Sequence, residues 1–192
     1  MRSNHQEVNL IIKREADDIL YKKGLLEILN SFGTPYLHGS YILDLMTWRD
    51  LDIYLVSDEI TEGDFFMLGE RVCKAFGPVK MSYRNERRAK TEGLPLGLYW
   101  GVYLGNERAG AWKIDIWAVS AEECQQRLQY GDSIKEKLNP EASQRILEIK
   151  SACWKDEGYR RSYSSADIYK AVLENKVASV EEFNGYIRTL KL

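Results

Sequence analysis

The chain has 192 residues, 44% of them hydrophobic, which is enough apolar material for one good core plus a small helical appendage. Its formal net charge of −2 leaves no global electrostatic footprint for a nucleic-acid polymer, so long nucleic acid is disfavoured as substrate and a small acceptor is expected. The three cysteines, Cys73, Cys124 and Cys153, lie far apart without Cys-x-x-Cys spacing, which argues against a disulfide framework and a zinc site and for a reducing compartment.

The polar start of the chain shows no leader pattern, and the charged segment after it no membrane span, so the cytoplasm is the expected location. Glu7 to Ser31 reads as helix, with Val8, Ile12, Ile19, Leu20, Leu26 and Leu29 as its apolar stripe, Gly24 as an interruption and Gly33-Thr34-Pro35 as its stop. Tyr36-Leu37 is then a short strand entering His38-Gly39-Ser40. Gly39 permits a tight turn, and Ser40 stands where the turn opens into a helical segment, Tyr41 to Met46, whose first amides would attract phosphate. His38 reads as the residue leading into the turn rather than as a functional group.

Arg49 to Val56 is the next strand. Side chains of a strand alternate between faces, so Asp50 and Asp52 share one face while Leu51, Ile53 and Leu55 share the other. Two carboxylates this close repel, and a divalent cation removes the conflict. Magnesium takes oxygen ligands, and a pair of ions about 3.5–4 Å apart stabilises both the attacking and the leaving oxygen of an in-line phosphoryl displacement.

Thr61 to Phe76 reads as a core-facing helix stopped by Gly77-Pro78, and Val79 to Tyr83, Leu96 to Leu104 and Ala111 to Val119 as strands, the last two joined by the loop Gly105 to Gly110. Between them Arg84, Arg87, Arg88 and Lys90 lie in a charged connection that reads first as a solvated loop and second as a reach toward phosphate. Tyr99, Trp100 and Tyr103 read first as packing and second as a stacking platform. In the last strand Ile114 and Ile116 face one way and Lys113, Asp115 and Trp117 the other. An aspartate between two isoleucines needs a reason. Pairing with Lys113 is the bland one; a third acid converging on Asp50 and Asp52 is the one that the earlier elements favour.

Ser120 with Glu123 forms a capping-box pattern, so a helix should begin at once and run to about Tyr130. Gly131-Asp132-Ser133 and Asn139-Pro140 then lead into helices over Glu141 to Trp154, Ser165 to Asn175 and Val180 to Leu190, the last two close enough for a hairpin. Tyr159-Arg160-Arg161-Ser162-Tyr163 between them mixes cations and aromatics and reads as a surface loop or dimer contact before an acceptor site. There is no Walker-type Gly-Lys-Ser run and no Gly-x-Gly-x-x-Gly run, which excludes a P-loop kinase.

Gly39-Ser40, Asp50-Leu51-Asp52 and Asp115 together resemble the motif of the nucleotidyltransferase superfamily of the DNA polymerase beta type: Gly-Ser, a short gap, Asp-x-Asp, and a later strand acid. The resemblance implies an α+β fold, a mixed β-sheet flanked by helices, with a nucleotidyltransferase domain over residues 1–130 and a helical C-terminal region over 131–192. It implies Mg2+-dependent transfer of a nucleoside monophosphate from an NTP, by family habit ATP, to a hydroxyl, with pyrophosphate released. By the same resemblance Gly39 and Ser40 bind nucleotide, Asp50 and Asp52 hold two Mg2+ ions, and Asp115 is a further ligand or the base for the acceptor hydroxyl. Size and layout are most similar to the small antibiotic nucleotidyltransferases that act on lincosamides or aminoglycosides. A protein adenylyltransferase of toxin-antitoxin type and a non-catalytic nucleotide sensor are the alternatives, and the oligomeric state is left open.

Overall fold

The computed structural model describes residues 3–189. Ser3 caps helix α1 (Asn4–Asp17) in a reciprocal box with Gln6. A π turn over Asp18–Lys22 follows, and Gly24, at φ 77°, interrupts the chain before α2 (Leu25–Asn30). The helical span expected over 7–31 breaks at the interruption expected at Gly24, because a left-handed residue cannot continue a right-handed helix.

The remaining elements are strands β1 (Thr34–His38), β2 (Asp50–Val56), β3 (Lys80–Asn85), β4 (Gly97–Tyr103) and β5 (Lys113–Val119), helices α3 (Glu62–Phe76), α4 (Glu86–Ala89), α5 (Ala121–Lys137), α6 (Pro140–Cys153), α7 (Ser165–Leu173) and α8 (Val180–Thr189), and a 3-10 turn over Glu107–Ala109. The helix expected to reach Leu190 ends, as far as the described residues go, at Thr189. The strands form one sheet in the order β1-β2-β5-β4-β3, with β2 and β5 parallel and every other pair antiparallel. This is the mixed sheet with flanking helices that the motif implied.

One face of the sheet is apolar. Leu51, Ile53 and Leu55 of β2, Leu98 and Val102 of β4, and Ile114 and Ile116 of β5 bury against α1, α2 and α3 through Ile12, Leu29, Phe65 and Leu68. Each such side chain contributes about 1.5–3 kcal/mol by leaving water. A second cluster joins α6, α7 and α8 through Ile146, Ile149, Ile168 and Phe183, and takes in Leu43, Leu45 and Trp48 from the loop between β1 and β2. That loop thus belongs to two cores at once.

Tyr41 to Met46 is not the helix expected but a run of turns, with Leu43 N–H donating to Gly39 O and Leu45 N–H to Ser40 O. Tyr41 and Met46 bury in the sheet core while Leu43 and Leu45 bury among the helices, and Asp44 turns left-handed at φ 56°. No regular helix sends neighbouring apolar residues to opposite sides in that way. Conversely α5 passes straight through Gly131-Asp132-Ser133, because one internal glycine costs only about 1 kcal/mol and Ile134 beyond it is buried.

Candidate active site

The polar face of the sheet carries the site. Register sets His38 of β1 beside Asp52 of β2, Asp52 beside Asp115 of β5, and Asp115 beside Gly101 of β4, while Asp50 pairs with Lys113. Asp50, Asp52 and Asp115 each bring a carboxylate oxygen within 4.8 Å of the others. Lys113 sits among them, its ammonium bonded to Asp115 Oδ2 and 3.8 Å from Asp50 Oδ1. Tyr99 OH donates to Asp115 Oδ1 at 2.7 Å. The bland expectation for Asp115, pairing with Lys113, and the functional one, convergence with Asp50 and Asp52, are both present in one cluster.

Burial dominates the electrostatics. It pushes the Asp50 carboxyl well above the usual range, against the pull of Lys113 and with the repulsion of Asp52 and Asp115. Asp52 rises to about 6, from burial first and then from Asp115. Lys113 loses hydration too, yet Asp50 and Asp115 hold its pKa above that of an ordinary lysine. The donor set is all oxygen, and Asp50 Oδ1 is buried without a hydrogen-bond partner, so these residues suit a hard divalent cation such as Mg2+.

Gly39 turns at φ 67°, and a Cβ placed on it would come within 2.5 Å of Asp52 Oδ2. Only glycine lets the turn lie this close to the acid. Beside it, the Ser40 hydroxyl accepts from Lys150 Nζ at 2.7 Å and lies 3.3 Å from Tyr169 OH. Lys150 is fully buried, donating also to Leu45 O at 2.6 Å and Tyr169 OH at 3.2 Å, and burial lowers its pKa. Lys150 and Tyr169 went unremarked in the sequence. The available signal was a lysine on the apolar stripe of α6, between Ile146, Ile149 and Cys153.

A cavity of about 550 Å³ opens from Gly39 between β1, β2 and α5, lined by His38, Tyr54, Arg127, Tyr130 and Tyr169 among others. The His38 and Tyr54 rings stack at 3.9 Å and 4° on its wall. Ser120 caps α5 as expected, accepting from Glu123 N–H at 3.2 Å, while the Glu123 carboxylate bonds Arg127.

Several expected candidates lie elsewhere. Arg87 donates to Ile60 O, Arg88 pairs with Glu62 and Arg84 with Glu86, so the charged connection serves the far edge of the sheet. Trp100 packs on α3 and donates to Phe65 O, on the face away from the acids. The Tyr159 to Tyr163 segment is a surface loop, exposed at Arg160, Arg161 and Ser162 and anchored at its ends. Tyr159 is buried, Arg160 lies 4.4 Å over the Trp48 ring and pairs with Glu107, and Arg108 donates to Tyr159 O and, just before the segment, to Trp154 O and Asp156 O.

No protein-family model matches the chain, and no curated protein matches it in sequence. Its backbone does match solved structures. A cytoplasmic RNA terminal U-transferase superposes with TM-score 0.54 at 13% identity, covering 89% of this chain and 51% of that one. Cid1, an RNA terminal uridylyl transferase, gives TM-score 0.52 at 16% identity over 84% of this chain and 45% of its own. Terminal uridylyl transferase 4 from Trypanosoma brucei, bound to UPU, gives 0.52 at 13% identity over 89% and 58%. The chain spans about half the length of these structures. The likeness gives it the nucleotidyltransferase fold.

Proposed function

We propose that the chain is a nucleotidyltransferase, moving a nucleoside monophosphate from an NTP to a hydroxyl and releasing pyrophosphate. The observation that carries this reading is the convergence of Asp50, Asp52 and Asp115 within 4.8 Å, in a row with the Gly39-Ser40 turn on the nucleotidyltransferase fold. Asp50, Asp52 and Asp115 would hold divalent cations, Mg2+ by the donor chemistry, which supply charge stabilisation to the phosphoryl oxygens.

The chain's own groups do the rest. Gly39 and Ser40 receive the triphosphate, and Lys150 with Tyr169 fixes the Ser40 hydroxyl from behind. The cavity beside Gly39, with its stacked His38 and Tyr54 wall and its Arg127, accommodates the nucleoside. Asp115, held in one orientation by Tyr99, is either a further ligand to the cations or the base that takes the proton of the acceptor hydroxyl. Fixed groups make positioning and charge stabilisation the main sources of rate. Residues 1–130 supply the acids and the turn, and the helices of 131–192 supply Lys150 and Tyr169.

The donor we propose is ATP and the acceptor a small hydroxyl compound of the antibiotic type, in keeping with the net charge of −2. A second acceptor reading, an RNA 3′ end, draws support from the terminal uridylyl transferases that share the fold. A pyrophosphate-release screen decides between them: each common NTP with Mg2+, against aminoglycosides, lincosamides, short oligoribonucleotides and co-expressed proteins, with mass analysis of the product. A gain of one nucleoside monophosphate identifies donor and acceptor together. Asp50→Asn and Asp52→Asn should each reduce turnover by roughly 1000-fold or more with the fold intact. Undiminished turnover in both would sink the proposal, and tight nucleotide binding without pyrophosphate from any acceptor would make the chain a sensor.

A further inference from the structure

The acidic cluster holds a cation of its own. Lys113 stands two residues before Asp115 on the same face of β5, in register with Asp50, and its side chain is only 9% exposed. Its ammonium bonds Asp115 Oδ2, lies 3.8 Å from Asp50 Oδ1 and 6.0 Å from the Tyr103 ring centroid. Asp115 Oδ1 is taken by Tyr99 OH, so both oxygens of Asp115 already accept a hydrogen bond from the protein. Asp50 Oδ1, by contrast, is buried and accepts none.

We infer that Lys113 occupies, as a tethered ammonium, the cation position between Asp115 and Asp50, so that the nucleotide-free protein takes up a single divalent ion, on Asp50 and Asp52. The inference rests on the metal-binding reading of the three acids given above. Its physical basis is charge and space. Once a cation draws all three carboxylates into their ionised form, they and the Lys113 ammonium together carry −2, which one divalent ion cancels. A second divalent ion would leave an excess charge of +2 among largely buried side chains, where uncompensated charge is unfavourable. It would also have to break the bond between Lys113 and Asp115. A second ion is therefore admitted only with a ligand that brings negative charge, as a triphosphate does. Lys113 is in this sense a positioning residue, acting through Asp115 and the cation rather than on the substrate.

The test is Mn2+ binding to the full-length, nucleotide-free protein, followed by electron paramagnetic resonance of the free ion at constant pH. Wild type should bind one ion per chain. Lys113→Met should bind its first ion at least ten-fold more tightly and take up a second, weaker one, because the excess left by two ions falls from +2 to +1, and Lys113→Arg, which keeps the charge, should return to one. Because three uncompensated carboxylates strain the metal-free Lys113→Met fold, its thermal midpoint is followed through the same titration. A rise with Mn2+ at least twice that of wild type is expected, and it is readable even where the metal-free variant is partly unfolded. Two ions in nucleotide-free wild type, unchanged stoichiometry in Lys113→Met, or loss of its ion altogether overturns the role of Lys113 while leaving a metal site in place. No ion in any of the proteins overturns the metal reading itself, so the two failures are told apart.

Discussion

At Gly39 two constraints meet: a left-handed backbone at φ 67° and an approach to Asp52 that leaves no room for a Cβ. Gly39→Ala should lower stability by about 1–2 kcal/mol from the backbone alone. It should also cost most of the pyrophosphate release, because the methyl group displaces the Asp52 carboxylate. A denaturant midpoint with a turnover assay checks both, and wild-type turnover would show that the close approach is not needed. His38 next to it sets a pH dependence. Burial lowers its pKa to about 4, so the folded chain keeps the ring neutral where the unfolded chain, near 6.5, takes up a proton. Its contribution is present above about pH 6.5 and is lost as pH falls toward 4. Relative to His38→Gln, wild type should lose about 2–3 kcal/mol between pH 7 and pH 4, read from paired denaturation curves. Parallel curves would contradict this. At Gly101 a Cβ would collide with Tyr99 OH, so the small residue in β4 is what lets that hydroxyl reach Asp115.

Among the elements, β2 and β5 carried their own evidence. Alternation with period two is a local property, so the faces of Asp50, Asp52 and Asp115 were readable before any fold was known. The segment after the turn was not. Tyr41 to Met46 has helix-compatible residues, and only the competition between two cores for its side chains makes it a run of turns. α5 is the opposite case, where local signals at Gly131 pointed to an end that the burial of Ile134 overrides. A Cβ on Gly131 would meet no atom within 4 Å. Gly131→Ala should therefore raise stability by about 0.5–1 kcal/mol. A lower denaturant midpoint would mean that this part of α5 is not helical in solution.

Across the molecule, the loop between β1 and β2 couples the sheet to the C-terminal helices. Trp48 is buried against Trp154 and Tyr159 and lies under Arg160, while the acids it precedes belong to the sheet. Sheet and helices should therefore unfold in one transition, with tryptophan fluorescence and far-ultraviolet circular dichroism coincident. Trp48→Ala should destabilise the whole by about 3–5 kcal/mol rather than release the helices alone. Two separated transitions in wild type would show the units to be independent. Among the described residues no helix is long and apolar enough to cross a membrane, in keeping with the polar pattern of the chain.

The order of residues by itself determined the turn, the two acid-bearing strands and the face that each acid takes, because all of these follow from neighbours a few positions apart. It showed Lys113 as well, though only as a same-face neighbour of Asp115. Docking α6 onto the loop brought Lys150 to Ser40 across 110 positions, a contact that depends on how helices pack and not on any local period. Tertiary structure likewise decided that Lys113 lies between two acids and not beside one. The parallel pairing of β2 with β5 sets Asp50 opposite it, and strand register of that kind is fixed by the burial of the whole apolar face.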